Sequence, residues 1–221
     1  MALELLGAGV SPFVRKVRVL CAEKGLAYTH TQVSPFSPPE GWRDISPLGK
    51  IPAMRHDGRI VNDSSVICSY LERIQPEPAL YPKDAYEHAR ALWLEEFVDG
   101  GLFPIAGAQV FLPVALRPVL TRTPPTPDVI QAAEKAVNEQ LAPLFTYLEA
   151  QLGSGTFFVG NALSIADISV ASVCVNLRHA GFGVDTRRFP GLAGLVQRMH
   201  ARPSFAACIA EEKPVFGQRW V

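Results

Sequence analysis

Ser11, Pro52, Asp63 and Ser64 are the residues whose types and surroundings suit them to chemistry. Asp63-Ser64-Ser65 stands immediately before an apolar-periodic run, where a helix leaves its first N–H groups without intrahelical partners. Such a start attracts a carboxylate, because the open N–H groups and the helix dipole both favour negative charge. Pro52 follows Ile51 and precedes a strand-like run, which presents a backbone edge beside a proline. The two features together suit a small extended peptide that carries a carboxylate. Ser11-Pro12 opens a further helix-like run, and a serine ahead of proline at a helix start is what an N-cap should look like.

Other polar clusters are read as structural. Ser164-Ile165-Ala166-Asp167 is a capping box with Asp in place of Glu, flanked by Leu163 and Ile168 as a hydrophobic staple, and is not a Ser–Asp catalytic pair. Cys21, Cys68, Cys174 and Cys208 lie far apart in apolar, helix-like contexts, so they read as buried free thiols rather than a disulfide frame or zinc site. That usage fits a reducing cytosol. His179 and His200 have no spaced metal-ligating partners and read as helix-surface or satisfied histidines.

The elements that must position these residues follow from the patterning. Residues 2–7 predict a buried strand, and Ser11-Pro12 opens a helix with Phe13, Val17, Leu20 and Cys21 on its inner face, stopped at Gly25. Residues 28–33 alternate like a second strand. A Pro/Ser-rich excursion, 34–47, is expected to be exposed together with Trp42. Asp57-Gly58 between two strand-like runs predicts a hairpin, followed by a helix over 64–75. After a proline-punctuated stretch the pattern becomes all-helical: a long helix from near Tyr86, an apolar tract 102–120 interrupted by Pro104, Pro113 and Pro118, a loop at 121–127, and helices over 128–152, 164–180, 190–201 and 203–211.

Length and composition bound the reading further. With 221 residues, 48% of them hydrophobic, the chain can bury a large core. Its 21 basic and 21 acidic residues cancel, which favours neither nucleic acid nor an acidic membrane surface as partner. The N-terminus lacks a basic segment ahead of a long apolar stretch, so it is not expected to be a signal peptide. No run of eighteen apolar residues stands out as a membrane span.

Four motifs in this order, Ser11-Pro12-Phe13, Gly49-Lys50-Ile51-Pro52, Asp63-Ser64, and Gly160 with Leu163 to Ile168, resemble the soluble glutathione transferase family, in its serine-type, bacterial-like form. The resemblance covers essentially the whole chain. It implies an α/β thioredoxin-like N-terminal domain, 1–76, a linker, 77–85, and an all-α domain, 86–221, paired as a cytoplasmic homodimer. It implies a cis bond before Pro52, with the Ile51 N–H and C=O offered to the cysteinyl part of glutathione. Asp63 and Ser64 would take the γ-glutamyl end, Lys50 would face the glycyl carboxylate or stand as a solvated loop lysine, and Phe13 would lie in the glutathione site. Ser11 would donate to the glutathione sulfur, ahead of Tyr28 and Tyr70 as alternative hydroxyls. Phe36, Phe103, Phe111 and Leu112 are candidates to line a pocket for an apolar electrophile. The implied activity is conjugation of glutathione to small electrophiles in detoxification, without a metal. Glutathione-dependent isomerisation, peroxide reduction or disulfide reduction on the same scaffold, or a non-catalytic binding role, stand as alternatives.

Overall fold

A computed structural model describes residues 2–216. The chain forms two compact units, Met1–Leu80 and Tyr81–Val221, so residues 77–80, read as linker from the sequence, fall in the first.

The first unit is built on a four-stranded mixed sheet in the order β2-β1-β3-β4, with β1 Leu3–Leu6, β2 Thr29–Thr31, β3 Ala53–His56 and β4 Arg59–Asn62. β1 and β2 run parallel, joined through helix α1, Pro12–Glu23, whereas β3 is antiparallel to both β1 and β4. The hairpin turn is made by Asp57 and Gly58 at φ of 46° and 82°, the left-handed pair that a two-residue turn needs to match strand twist. Helix α3, Ser64–Ile74, follows at once. The Tyr70 hydroxyl of α3 is hydrogen-bonded to His56 Nδ1 at 2.6 Å, which places α3 on the sheet face that carries His56, Leu3, Leu5 and Met54. Val17, Leu20 and Cys21 of α1 and Ile67, Cys68 and Leu71 of α3 are buried. Lys24 closes the unit: its ammonium pairs with Glu72 at 2.6 Å and donates to the carbonyls of Gln75 and Pro78.

The 34–47 excursion departs from expectation. It contains a short helix, α2, Trp42–Ile45, and Trp42 is only 2% exposed. Leu6 and Ala53 face the second side of the sheet, and Val33 and Trp42 cover them, with Ile45 and Ile51 packed alongside. An apolar sheet face has to be covered, and here the loop supplies the cover. Phe36 and Leu48, in the same stretch, do remain exposed.

The second unit is helical throughout its regular structure among the described residues. Helix α4 runs unbroken over Ala85–Thr121, capped by Asp84, whose carboxylate accepts from Tyr86 and Glu87 N–H. The prolines expected to interrupt it do not. The helix widens to i→i+5 turns at Phe97–Leu102 and Ala106–Leu116, so Pro104 and Pro118 fall in the first turns of the tighter segments that follow, where a proline's missing N–H has no role. Pro113 lies inside the second wide stretch. By length and composition α4 could also cross a membrane, but a core helix meets the same test, and Leu102, Ala106, Val110 and Val114 are buried within the fold. After Arg122, helix α5 spans 127–152, widened over Ala136–Leu141. Helix α6, Ile165–His179, is buried along almost its entire length, with α4 packed against it. Helices α7, Pro190–Ala201, and α8, Pro203–Phe216, complete the unit.

The capping box at α6 is present: Asp167 accepts from the Ser164 N–H and hydroxyl at 2.9 Å each, and also from Phe158 N–H at 3.0 Å. Its burial raises the carboxyl pKa to about 6 against the pull of those donors. The architecture is therefore a thioredoxin-like α/β unit followed by an all-α unit.

Candidate functional site

Ser11 ends the loop between β1 and α1, and it caps α1 from its side chain. Val14 N–H reaches the Ser11 oxygen at 3.5 Å, a long contact, so the hydroxyl proton is left to donate elsewhere. The loop itself is held at four points. Gly7 N–H donates to Thr31 O at 3.0 Å, and His30 Nε2–H donates to Gly7 O at 2.9 Å. Gly9 N–H donates to the Gln32 side-chain oxygen at 3.1 Å, and Arg15 donates to Val10 O at 3.3 Å. Ser11 N–H donates back to Ala8 O at 3.0 Å.

The Ile51–Pro52 peptide is cis, as the resemblance implied. Its position beside the loop is fixed by Gly7, where a Cβ would stand 2.5 Å from Val14 Cγ2 and 3.3 Å from Ile51 Cβ. Only a residue without a side chain lets the two segments approach this closely. Among the described residues no hydrogen bond engages the Ile51 backbone, whose N–H and C=O form an open edge. Lys50 is exposed, and its carbonyl accepts from the Ser46 hydroxyl at 2.8 Å.

Asp63 sits at φ 74°, ψ 135°, a left-side conformation that costs a residue with a Cβ on the order of 1–3 kcal/mol. There its Oδ1 accepts from Ser65 N–H at 2.9 Å and Val66 N–H at 3.3 Å. Asp63 is thus the helix N-cap, and the cap takes two of the N–H groups that would otherwise meet a ligand. What is left is the N–H and hydroxyl of Ser64, which among the described residues make no hydrogen bond, and Asp63 Oδ2. Lys16 of α1 donates to the Ser65 hydroxyl at 3.1 Å, which ties α1 to the first turn of α3. Ser11, Ile51-Pro52 and Asp63-Ser64, distant in sequence, therefore gather at one edge of the first unit. Phe13 is half-buried there, with the Lys16 ammonium 5.9 Å from its ring centre.

The remaining candidates fall on both units. Phe36 is 61% exposed on the first unit. In the second unit, Phe103 and Leu112 are half-buried, and the Phe103 ring lies against Gly107. Phe111 does not present a free face: it is buried against the rings of His179 and Phe216, so it is a core residue and not a pocket wall. The two tyrosine hydroxyls are committed, Tyr28 to Arg18 Nε at 3.2 Å and Tyr70 to His56.

All four cysteines are buried and none is in a disulfide, and burial pushes the thiols of Cys21 and Cys174 up to about 12. His179 Nε2 meets Glu212 at 2.8 Å, and His200 donates from Nε2 to Ala171 O at 2.9 Å while accepting from Arg178 at Nδ1. Both histidines are buried, not on a helix surface. Among the described residues no three His, Cys, Asp or Glu side chains are grouped to hold a metal. The residues that sequence reasoning missed are His30 and Gln32. They lie at and just beyond β2 with no motif to mark them, and their role becomes visible only when the β1–α1 loop is placed beside that strand.

Comparison with known proteins agrees with this fold. The family models for the glutathione S-transferase N-terminal and C-terminal domains match residues 10–74 and 117–212. The chain is 30% identical to the uncharacterized GST-like protein YibF of Escherichia coli over 92% of its own length and 96% of that protein's. It is 29% identical to protein LigF of Sphingobium, covering 96% and 95%, and 24% identical to maleylacetoacetate isomerase of Dictyostelium discoideum, covering 90% and 89%. Among solved structures, a glutathione S-transferase from Rhodospirillum rubrum superimposes with a TM-score of 0.82 at 26% identity, covering 93% of this chain and 91% of that one. One from Methylobacterium radiotolerans, in complex with glutathione sulfonate, gives 0.74 at 26% identity and 95% of each chain. With an open backbone edge at Ile51, a capped helix start and a serine hydroxyl at one edge of a thioredoxin-like unit, and with domain matches on both units, the chain belongs to the glutathione S-transferase family.

Proposed function

We propose that this protein is a glutathione transferase of the serine type, which activates the glutathione thiol for attack on small apolar electrophiles. The observation that carries this reading is the gathering of Ser11, the open Ile51 edge and Ser64 at one place, enforced by Gly7 against Ile51 and by Lys16 on Ser65. The cysteinyl backbone of glutathione pairs with the N–H and C=O of Ile51 as an added strand, beside Pro52. Its γ-glutamyl carboxylate takes the N–H and hydroxyl of Ser64 at the start of α3, and its ammonium takes Asp63 Oδ2. Lys50 faces the glycyl carboxylate, and Phe13 packs beside the tripeptide.

Ser11 then donates its hydroxyl proton to the sulfur. A thiol of pKa about 8.5 is mostly protonated at neutral pH. A thiolate stabilised by about 2 kcal/mol titrates roughly 1.5 units lower, which makes the nucleophile abundant. The dipole of α1 acts in the same direction. With a chloro-aromatic substrate, the sulfur bonds to the ring carbon and chloride departs with the bonding pair. Phe103, Leu112 and Phe36 stay as candidates for contact with the electrophile. The reading extends to a homodimer acting in the cytoplasm in detoxification. A second reading, glutathione-dependent isomerisation, is favoured by the relatives named as maleylacetoacetate isomerases. There the same thiolate adds to the substrate and leaves again.

The test is retention on immobilised glutathione combined with turnover of a generic chloro-aromatic substrate and of maleylacetoacetate. Retention with chloro-aromatic turnover is the expected result. Retention with isomerisation alone selects the second reading, retention without turnover points to a binding role, and absence of retention overturns the site.

A further inference from the structure

The Ser11 hydroxyl is poorly held by its own cap contact, so its direction depends on the backbone that leads to it. Val14 N–H is 3.5 Å from the Ser11 oxygen, at the limit of a hydrogen bond. The leading backbone is the loop from Gly7 to Val10. Its first residue is fixed by strand pairing, because Gly7 N–H continues the β1–β2 ladder to Thr31 O. Its last turn is fixed by Ser11 N–H on Ala8 O. Between these lies Gly9, and its N–H has one acceptor, the side-chain oxygen of Gln32 at 3.1 Å. Around Gly9 the packing is close: Arg18 Nη1 and Gln32 Nε2 both lie 3.4 Å from where a Cβ would stand, and His30 Cε1 lies 3.6 Å away.

We infer that Gln32 is a positioning residue for Ser11: by holding Gly9 N–H it sets the path of the loop and so aims the Ser11 hydroxyl. This rests on the reading that Ser11 stabilises the glutathione thiolate. Gln32 belongs to the segment after β2 and acts through two residues, Val10 and Ala8. Ala8 is the pivot, since it is bonded to Gly9 in the chain and its carbonyl receives Ser11 N–H. A loop released at Gly9 keeps its contacts at Gly7, at Val10 O (held by Arg15) and at Ser11 N–H, but loses the one hold on the peptide before Val10, which lets the hydroxyl tilt away from the sulfur. Misplacement on the scale of an ångström at a reacting group is enough to cost rate by orders of magnitude.

The experiment is a double-mutant cycle of Gln32→Leu and Ser11→Ala, with kcat and KM for glutathione measured on a chloro-aromatic substrate and the bound thiol titrated by its ultraviolet absorbance. Gln32→Leu is expected to lower kcat about tenfold, to leave KM for glutathione within about twofold, and to move the thiol titration to higher pH. In the Ser11→Ala background it is expected to change neither kcat nor the titration, because there is no hydroxyl left to aim. Wild-type kcat and titration in Gln32→Leu overturn the inference, and so does an equal fold-loss in both backgrounds, which marks a merely structural role. If Ser11→Ala itself leaves the thiol titration and kcat unchanged, the Ser11 reading fails and takes this inference with it. If Ser11→Ala has its effect and Gln32→Leu has none, only the role of Gln32 falls.

Discussion

Replacing Asp167 by Asn keeps the shape of the side chain that closes the start of α6 and removes its charge. Asp167 is fully buried, and its two oxygens accept three hydrogen bonds, from Phe158 N–H, Ser164 N–H and the Ser164 hydroxyl. An amide has one oxygen and one NH2 group, so whichever side its oxygen serves, the NH2 opposes a buried donor on the other. A buried donor left without an acceptor costs about 1–3 kcal/mol. The cost must also depend on pH. Burial lifts the Asp167 pKa to about 6, against about 3.9 in an unfolded chain. Between those values the folded state binds more protons than the unfolded state, so the wild type loses stability as pH rises. The Asn variant, which does not titrate here, escapes that loss. With these two pKa values the wild-type loss is about 1 kcal/mol at pH about 4.5 and about 3 kcal/mol at pH about 7.5. The destabilisation caused by Asn should therefore shrink by about 2 kcal/mol across that range. Urea denaturation of both proteins at the two pH values measures it. A difference that stays constant or grows with pH refutes the reasoning, because the donors would then outweigh burial and hold the pKa down.

Gly7→Ala places a methyl 2.5 Å from Val14 Cγ2 and 3.3 Å from Ile51 Cβ. It should cost about 1–3 kcal/mol in a urea titration and raise KM for glutathione several-fold. Trp42→Ala empties the site under α2 and should cost about 3–5 kcal/mol, whereas an exposed Trp42 would make it nearly neutral. The native protein should release no colour with an aromatic disulfide reagent and titrate four thiols once denatured, since every cysteine is buried; fast reaction of any one in the native state contradicts its burial.

What could be read from the sequence was local. The Asp57-Gly58 turn, the Ser11-Pro12 helix start, the Ser164–Asp167 box and the cap at Asp63 each carry their own chemistry within a few residues, and each is found where it was expected. What escaped depends on partners distant in the chain. Trp42 is buried because Leu6 and Ala53 need cover, which the composition of its loop does not disclose. The prolines of α4 are absorbed by wide turns, whose cost is met by packing on α6. Phe111 reads as a pocket wall until His179 and Phe216 are seen to occupy its faces. At the site, the residue types were legible but the division of labour was not: the Asp63 carboxylate uses two of the helix N–H groups itself and leaves Ser64 to meet a ligand.

The account turns on whether the Ser11 hydroxyl lowers the pKa of bound glutathione. Ultraviolet titration of the thiolate in the wild-type complex and in Ser11→Ala measures this directly. The account predicts a midpoint about 1.5 units below that of a free thiol in the wild type, near pH 7, with Ser11→Ala moving it most of the way back toward about 8.5. The same midpoint in both complexes would contradict it and leave Ser11 as a helix cap alone.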